Sequence, residues 1–115
     1  MLKISIITVT FNNVKTIEQT IKSVLDQNYS NLEYIVIDGG SKDGALEILN
    51  KYKNKFNYFK SSPDEGIYDA MNKGIKKSRG SIISILNSDD VFYKNTFKIA
   101  IDYFNRHQGI DFLFG

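Results

Sequence analysis

Four short apolar runs along the chain each end abruptly at small polar or acidic residues. The runs cover residues 4–9, 32–37, 58–59 and 82–86. Each run is followed by a segment with helical periodicity, which is typical of parallel strands joined by helices. In an open parallel sheet the ligand crevice lies outside the carboxyl ends of the strands. We therefore expect the polar residues that follow these runs to lie together and to form a binding site.

Two amphipathic segments fill the intervals between the first three strands. The first ends near residues 27–28, and Thr16 followed by Gln19 matches a capping box at its start. Ser41 or Asp43 is placed to cap the second helix. Their apolar stripes are formed by Ile17, Ile21, Val24 and Leu25 in the first helix and by Leu46, Leu49 and Tyr52 in the second.

A third helix begins near residues 66–68 and is predicted to stop at Gly80, because glycine suits the left-handed C-terminal cap. Asn95 and Thr96 open a fourth helix, with Phe97, Ile101 and Phe104 on one side, and residues 110–114 have the pattern of one more strand. The inward face of the third helix is predicted to carry Ile67, Ala70, Met71, Gly74 and Ile75.

This alternation of strands and helices predicts an α/β fold with a mostly parallel sheet and helices on both faces, joined by right-handed crossovers. If the sheet follows the common 3-2-1-4 order, strand one lies between strands two and four, and Thr10 lies beside residues 87–90. The chain ends just as the fifth strand finishes. We therefore expect residues 1–115 to form the first half of a longer protein.

Composition narrows the class of protein. A content of 42% hydrophobic residues in 115 is enough for the core of one domain. The net charge of +2, with 15 basic residues spread among 13 acidic ones, argues against a nucleic-acid partner. Because cysteine is absent, a metal would have to bind through oxygen or through His107, which has the pattern of a surface residue. No run approaches the ~18 apolar residues of a membrane helix or forms a signal-peptide core, so we expect a soluble, unprocessed chain.

The sharpest chemical signal is the sequence Asn87-Ser88-Asp89-Asp90 at the end of the fourth predicted strand. Two adjacent carboxylates supply the oxygen ligands that Mg²⁺ and Mn²⁺ prefer, and bound phosphates commonly complete such a site. One aspartate can bind the metal while its neighbour orients a hydroxyl or a water. The alternative is that these residues only cap the turn into the next helix.

Residues 38–44 form a second candidate site. Asp38 can accept a hydrogen bond from a ring N–H or a sugar hydroxyl, and the glycines allow tight turning and close approach of a ligand. Neither a G-x-G-x-x-G fingerprint nor a phosphate-binding G-x-x-x-x-G-K-[ST] loop occurs, which argues against hydride transfer and triphosphate hydrolysis. The alternative is an ordinary strand-to-helix turn with Asp43 as the helix cap.

A third candidate covers residues 62–74. Asp69, Asn72 and Lys73 lie about one helical turn apart, so their side chains share a face. The alternative is a solvated helix face, because ordinary exterior charges follow at Lys76, Lys77 and Arg79.

Taken together, these stretches resemble the family-2 glycosyltransferases, inverting enzymes of the GT-A fold that use nucleotide-diphospho-sugars. The resemblance covers the whole chain. Residues 5–12 look like the family's opening strand, 21–27 like its S-V-L-x-Q helix end, and 38–44 like V-D-[DG]-[GS]-S-x-D-x. Residues 88–90 look like the region of its D-x-D motif, and 66–74 resemble one branch of the family.

The resemblance implies a donor site at the strand ends and a divalent cation, Mn²⁺ or Mg²⁺, that bridges the donor diphosphate. A UDP-sugar is the favoured donor, and the acceptor is a glycan or a lipid-linked sugar. The implied location is the cytoplasm, with peripheral attachment to the membrane as an option. The implied donor-binding residues are Thr10, Asp38, Asp64, Asn72, Asn87 and Asp89, and the implied metal ligands are Asp89 and Asp90.

Two positions depart from the family pattern. Asn87 stands where many members have the first Asp of D-x-D, so metal binding must rest on Asp89 or Asp90. Gly39 stands where many have a second Asp, so one contact to the base or ribose is missing or supplied elsewhere. The general base is expected beyond Gly115, so we predict no catalytic residue within the chain and no sugar transfer by this chain alone.

Two other classes of function stay open at this point. The chain could be a non-catalytic nucleotide-binding or assembly module. It could also be a flavodoxin-like phosphoacceptor domain, although such a domain should expose an aspartate on strand three, where this chain has Lys60, Ser61 and Ser62. Finally, the apolar edge near Phe112 and Phe114 predicts self-association.

Overall fold

A computed structural model describes residues 3–27, 30–63, 66–88 and 112–114 of the chain. Its strands are β1 (Ile4–Thr10), β2 (Leu32–Asp38), β3 (Tyr58–Ser61), β4 (Ile82–Asn87) and β5 (Phe112–Phe114). Its helices are α1 (Ile17–Leu25), α2 (Ala45–Tyr52) and α3 (Ile67–Lys77), with a 3-10 turn at Lys53–Lys55. The predicted fourth helix and His107 lie outside the described residues, and β5 confirms part of the predicted fifth strand.

The strands form one sheet in the order β3-β2-β1-β4-β5, and every neighbouring pair is parallel. Strand β1 lies in the centre, between β2 and β4, as the sequence predicted. All seven of its residues are buried, which is typical of a parallel strand covered on both faces. The β-branched residues that dominate β1, β2 and β4 suit this position because they pack well on a pleated surface.

Helices cover both faces of the sheet, as predicted. On one face, α1 and α2 pack over the larger core cluster, which includes Ile6, Ile21, Tyr34 and Leu49. On the other face, α3 packs over a smaller cluster around Ile7 and Ile35. Burial raises the pKa of Tyr34, so its phenol stays protonated and shares a 2.9 Å hydrogen bond with Thr8 inside the larger cluster.

Two glycines allow close packing at α3 and at the segment that follows it. A Cβ atom at Gly74 would lie 2.4 Å from Cγ2 of Ile7, so this glycine lets α3 lie directly on β1. A Cβ atom at Gly80 would lie 2.5 Å from Oγ of Ser5 and 2.9 Å from the carbonyl oxygen of Lys3. The predicted left-handed cap at Gly80 is wrong: α3 ends at Lys77, and Gly80 is needed because the backbone passes against β1.

The starts of two helices also differ from the sequence prediction. Thr16 makes no capping bond, so the predicted capping box is wrong; its hydroxyl instead donates to the carbonyl oxygen of Ser88 at 2.9 Å. At α2 the N-cap position is held by Gly44, and Asp43 accepts a 3.0 Å hydrogen bond from the backbone N–H of Ala45. The bond of Thr16 joins residues 72 positions apart, which a local pattern does not reveal.

The amino ends of the strands are joined by a buried carboxylate, Glu33. Its Oε1 accepts hydrogen bonds from Oγ of Ser5 and from the backbone N–H of Arg79, each at 2.7 Å. Ser5 Oγ in turn accepts a 2.8 Å bond from the N–H of Gly80. The network therefore ties the segment after α3 to β1 and β2. Within the described ranges, no helix is long and apolar enough to cross a membrane.

Candidate functional site

The sheet register brings the predicted site residues to one edge. Thr10 on β1 pairs with Asp38 on β2, and Val9 pairs with Asn87 on β4. On the outer side, Asp38 pairs with Ser61 at the end of β3. The prediction that these strands end side by side is therefore confirmed, and the residues at their carboxyl ends share one polar edge.

A cleft of about 470 Å³ opens at this edge. Strand β1 and the loop after it form its centre, while the start of α3 and the end of β4 form two of its sides. The lining residues are Val9, Thr10, Phe11, Asn13, Gly39, Gly66, Ile67, Ala70, Asn87 and Ser88. A cleft at the carboxyl ends of parallel strands is the usual place for a ligand in this kind of sheet.

Two residues that line the cleft each have a buried side-chain oxygen without a hydrogen-bond partner among the described residues. These oxygens are Oγ1 of Thr10 and Oδ1 of Asn87, which lie on adjacent strands. A buried polar atom without a partner costs free energy, so such groups are usually satisfied by water or by a ligand. Both residues were predicted to bind the donor, and the structure shows that both line the cleft with unused hydrogen-bonding capacity.

Asp38 occupies a different position from Thr10 and Asn87. Its side chain is fully buried, with 0% exposure, and it does not line the cleft. Oδ2 accepts hydrogen bonds from the N–H groups of Gly40 and Ser41 and from Oγ of Ser61, at 3.1, 2.9 and 2.7 Å. Oδ1 accepts a bond from Oγ of Ser41. Asp38 thus ties its own loop to β3, and its predicted contact with the donor stays a prediction.

The loops after β1 and β2 are linked to each other. The N–H of Asn12 donates to Oγ of Ser41 at 2.9 Å, and Oδ1 of Asn12 accepts from the N–H of Lys42 at 2.8 Å. Nearby, the N–H of Val14 donates to Oδ2 of Asp43 at 3.0 Å, and this bond is the main reason why the pKa of Asp43 lies below its usual value. These contacts hold the loop after β1 against the loop after β2.

The end of β4 is anchored by α1 and by the loop before it. The carbonyl oxygen of Ser88 accepts hydrogen bonds from the hydroxyls of Thr16 and Thr20, each at 2.9 Å. The side-chain amide of Asn13 donates to Oγ of Ser88. These bonds tie Ser88, which directly precedes Asp89 in the sequence, to α1 and to the loop before it.

Large apolar side chains are exposed at the cleft. Phe11 is 57% exposed and Ile67 is 48% exposed, and both line the cleft, while the neighbouring Tyr68 is 78% exposed. The predicted inward position of Ile67 is therefore wrong: its side chain is about half exposed and takes no part in the smaller core cluster, which Ala70, Met71 and Ile75 join. Sequence reasoning also missed Phe11 and Asn13 as site residues. An aromatic residue directly after a predicted strand was the available signal.

The remaining predicted site residues do not join the described cleft. Asn72 is exposed on α3 and is not a lining residue. On the same helix, Asp69 forms a 3.3 Å ion pair with Lys73, in agreement with their predicted shared face. Asp64, Asp89 and Asp90 lie outside the described residues, and no cluster of three metal-ligating side chains occurs within the described part.

Known proteins share both the sequence and the fold of this chain. A glycosyltransferase of Mycobacterium tuberculosis that carries the description uncharacterized is 43% identical over 90 residues, which cover 77% of this chain and 34% of that protein. The structure of residues 1–349 of Staphylococcus aureus TarS in complex with UDP-GlcNAc has 30% identity and a TM-score of 0.81, over 92% of this chain and 32% of that 349-residue chain.

A third protein shares the fold at lower sequence identity. The mannosyltransferase PcManGT from Pyrobaculum calidifontis, in complex with GDP-Man and Mn²⁺, has a TM-score of 0.80 and 21% identity over 90% of this chain and 32% of its own. The chain thus spans about a third of the length of the Mycobacterium tuberculosis protein and of each of the two chains in the solved structures. The model of the family Glycosyl transferase family 2 matches residues 5–113. With nearly the whole chain matched, this protein belongs to glycosyl transferase family 2.

Proposed function

We propose that the chain is the nucleotide-sugar-binding part of a glycosyltransferase that transfers a sugar to an acceptor hydroxyl with inversion. The observation that carries this proposal is a cleft at the strand ends whose lining includes the exposed Phe11 and two residues with unpartnered buried polar atoms, Thr10 and Asn87. A nucleoside offers hydroxyls for the polar atoms and a flat base for the aromatic ring. The ligand chemistry of the cleft therefore matches the family to which the chain belongs.

Uridine diphosphate sugar is the donor we propose. TarS, with 30% identity to this chain, was determined in complex with UDP-GlcNAc, which supports a uridine nucleotide as the donor. In this chain Phe11 directly follows Thr10 and both residues line the cleft, so one cleft offers an exposed ring for the base and polar residues for the ribose. Stacking contributes about 1–3 kcal/mol per base in other nucleotide-binding proteins.

Asp89 and Asp90 are the residues that we propose to hold Mn²⁺ or Mg²⁺. Paired carboxylates suit these hard cations, and a protein of the same fold, PcManGT, was determined with Mn²⁺. The two aspartates follow directly in the sequence on Ser88, whose carbonyl oxygen is held by Thr16 and Thr20. When bound, the cation would offset the charge of the leaving diphosphate.

The acceptor is proposed to be a glycan or a lipid-linked sugar in polysaccharide assembly, reached from the cytoplasm or the membrane surface. The general base that deprotonates it is proposed to lie outside residues 1–115. Asp64 and Asn72 remain proposed donor contacts, and self-association through the β5 edge at Phe112–Phe114 remains a prediction.

Calorimetric titration of the chain with UDP, with and without Mn²⁺, tests the donor site. Thr10→Val removes the unpartnered hydroxyl and should weaken UDP binding about fivefold to tenfold, because one hydrogen bond contributes about 1 kcal/mol. Thr8→Val is the matched control: it lies two residues earlier on β1, and its hydroxyl already pairs with Tyr34. It should lower stability and leave UDP affinity unchanged.

Three results would count against the proposal. If UDP does not bind in the presence of Mn²⁺, the proposed donor site is wrong. If UDP binds equally well in EDTA, the proposed role of the metal is wrong. If Thr10→Val and Thr8→Val change UDP affinity equally, the hydroxyl of Thr10 has no specific role in binding. An assay for release of UDP from UDP-sugars with an added acceptor distinguishes a transferase from a module that only binds.

A further inference from the structure

Asp38 has its hydrogen-bonding capacity used within the protein. Its carboxylate is fully buried, Oδ2 accepts three hydrogen bonds, and Oδ1 accepts one from Oγ of Ser41. A carboxylate has about four favourable acceptor positions. The neighbouring residue Gly39 lines the cleft, whereas Asp38 does not. A direct contact with a ligand would require the Asp38 carboxylate, which is 0% exposed, to leave its buried position.

A continuous path of hydrogen bonds leads from Asp38 to the loop after β1. Oγ of Ser41 donates to Asp38 and accepts from the N–H of Asn12 at 2.9 Å. A second bond, from the N–H of Lys42 to Oδ1 of Asn12, closes the link at 2.8 Å. The backbone of Asn12 has φ of 53°, a left-handed conformation that asparagine adopts more readily than most residues. This conformation is held by both bonds.

Asn12 directly follows Phe11, whose ring is 57% exposed at the cleft. The two bonds to Asn12 hold the backbone next to Phe11, so they limit where its Cα–Cβ bond points and from which position the ring reaches the cleft. Fixing an aromatic side chain before a ligand arrives reduces the entropy lost on binding. The path from Asp38 therefore ends at the side chain best suited to stack on a flat ligand.

We propose that Asp38 is a positioning residue that acts on the donor through Ser41 and Asn12, by holding Phe11 at the cleft. The expected effect of Asp38 on UDP affinity rests on the proposed nucleotide-binding function. The position of Phe11 in the free protein can be measured without any ligand. The two proposals can therefore fail separately.

The test uses Ser41→Ala, which removes the hydroxyl that joins the Asp38 carboxylate to the N–H of Asn12 and leaves both the carboxylate and the bond from Lys42 in place. In the free chain, the ring signals of Phe11 in a nuclear magnetic resonance spectrum should shift and broaden. UDP affinity should fall about fivefold to tenfold, as expected for one hydrogen bond. In a Phe11→Ala background the same change should have almost no effect on affinity. Binding of inorganic pyrophosphate, which has no base, should not change.

Two further variants separate positioning from general loosening of the fold. Ser41→Thr keeps the hydroxyl and should restore both the Phe11 signals and UDP affinity. Ser61→Ala removes another bond to Asp38 that lies off the path to Asn12. It should lower the midpoint of urea unfolding and leave UDP affinity unchanged.

Three outcomes would overturn the proposal. The first is unchanged Phe11 signals in Ser41→Ala, whether or not UDP binds. The second is that Ser41→Ala lowers UDP affinity by the same factor in the wild-type chain and in the Phe11→Ala background. The third concerns the double variant Asp38→Asn, Phe11→Ala. If its preference for uracil over other bases differs from that of Phe11→Ala alone, Asp38 contacts the base directly. Failure of the wild-type chain to bind UDP would contradict the proposed function, and the Phe11 signals would still decide whether the path positions the ring.

Discussion

Strand β2 carries a buried carboxylate at each end. Glu33 at the amino end and Asp38 at the carboxyl end are 7% and 0% exposed, and each accepts bonds from a serine hydroxyl and from backbone N–H groups. The Glu33 network joins Ser5 and the segment before β4, and no part of it lines the cleft. The Asp38 network leads to the loop that carries Phe11. The same local chemistry thus stabilises the fold at one end and organises the candidate site at the other.

The two ends also differ in how fully their polar groups are satisfied. At the amino end the buried hydroxyl of Ser5 both donates and accepts a hydrogen bond. At the carboxyl end, Oγ1 of Thr10 and Oδ1 of Asn87 are without partners among the described residues. Unused polar capacity at only one end is the pattern expected when that end receives a ligand. Variants at the amino end should therefore change stability, and variants at the carboxyl end should change binding.

The largest effect is expected for Gly80→Ala. The new Cβ would lie 2.7 Å from the backbone nitrogen of Ser5, so a central strand or the segment before β4 must shift. We expect a loss of about 3 kcal/mol in the free energy of unfolding, at the upper end for overpacking. Urea unfolding measures it, with Ser81→Ala as the exposed neighbouring control. A loss below about 0.5 kcal/mol, the range of surface substitutions, would contradict the close packing inferred here.

For Glu33→Ala we expect a smaller loss, about 2 kcal/mol, in the free energy of unfolding. The Ser5 hydroxyl and the Arg79 N–H lose the acceptor of their hydrogen bonds at a site shielded from solvent. Glu33→Gln keeps one acceptor oxygen and should lose less. Both variants should retain wild-type affinity for UDP once folded. A selective loss of UDP affinity without a loss of stability would show that the two ends are not separate in function.

Phe11→Ala should have the opposite profile. The ring is 57% exposed, so stability should stay within about 0.5 kcal/mol of wild type. UDP affinity should fall about tenfold, which corresponds to about 1.4 kcal/mol and lies within the range for base stacking. Tyr68→Ala removes an exposed aromatic ring that does not line the cleft, and it should change neither quantity. Equal effects of the two variants on UDP affinity would contradict a specific role for Phe11.

The difference between the two ends explains what the sequence could and could not predict. The strands, their order and the convergence of Thr10, Asp38 and Asn87 follow from apolar periodicity and from general rules for parallel sheets. The hydrogen bonds of Thr16 and Ser41 do not, because their partners depend on tertiary contacts: Thr16 bonds Ser88, 72 residues away. Serine is a residue type common at helix N-caps. Ser41 instead joins the loops after β1 and β2, which lie side by side only in the folded sheet.

The smallest effect concerns Asp43, an exposed carboxylate in the same layer of loops as the buried Asp38. The N–H groups of Val14 and then Ala45 lower its pKa below the usual value of 3.8. A carboxylate with a lowered pKa in the folded state stabilises the fold above its unfolded pKa, and this contribution is lost as the pH falls through the folded value. Asp43→Asn should therefore be slightly less stable than wild type at pH 7, and the difference should shrink below about pH 4, near the unperturbed pKa of aspartate.

Urea unfolding of both proteins at several pH values measures this difference, and a nuclear magnetic resonance titration of Asp43 locates its pKa directly. A difference that persists unchanged under acid conditions would mean that Asp43 contributes through its shape and not through its charge. A small effect is expected because solvent screens an exposed carboxylate, whereas Asp38 is shielded in the interior. Burial, more than the number of hydrogen bonds, should then decide how strongly each carboxylate of this loop layer affects the protein.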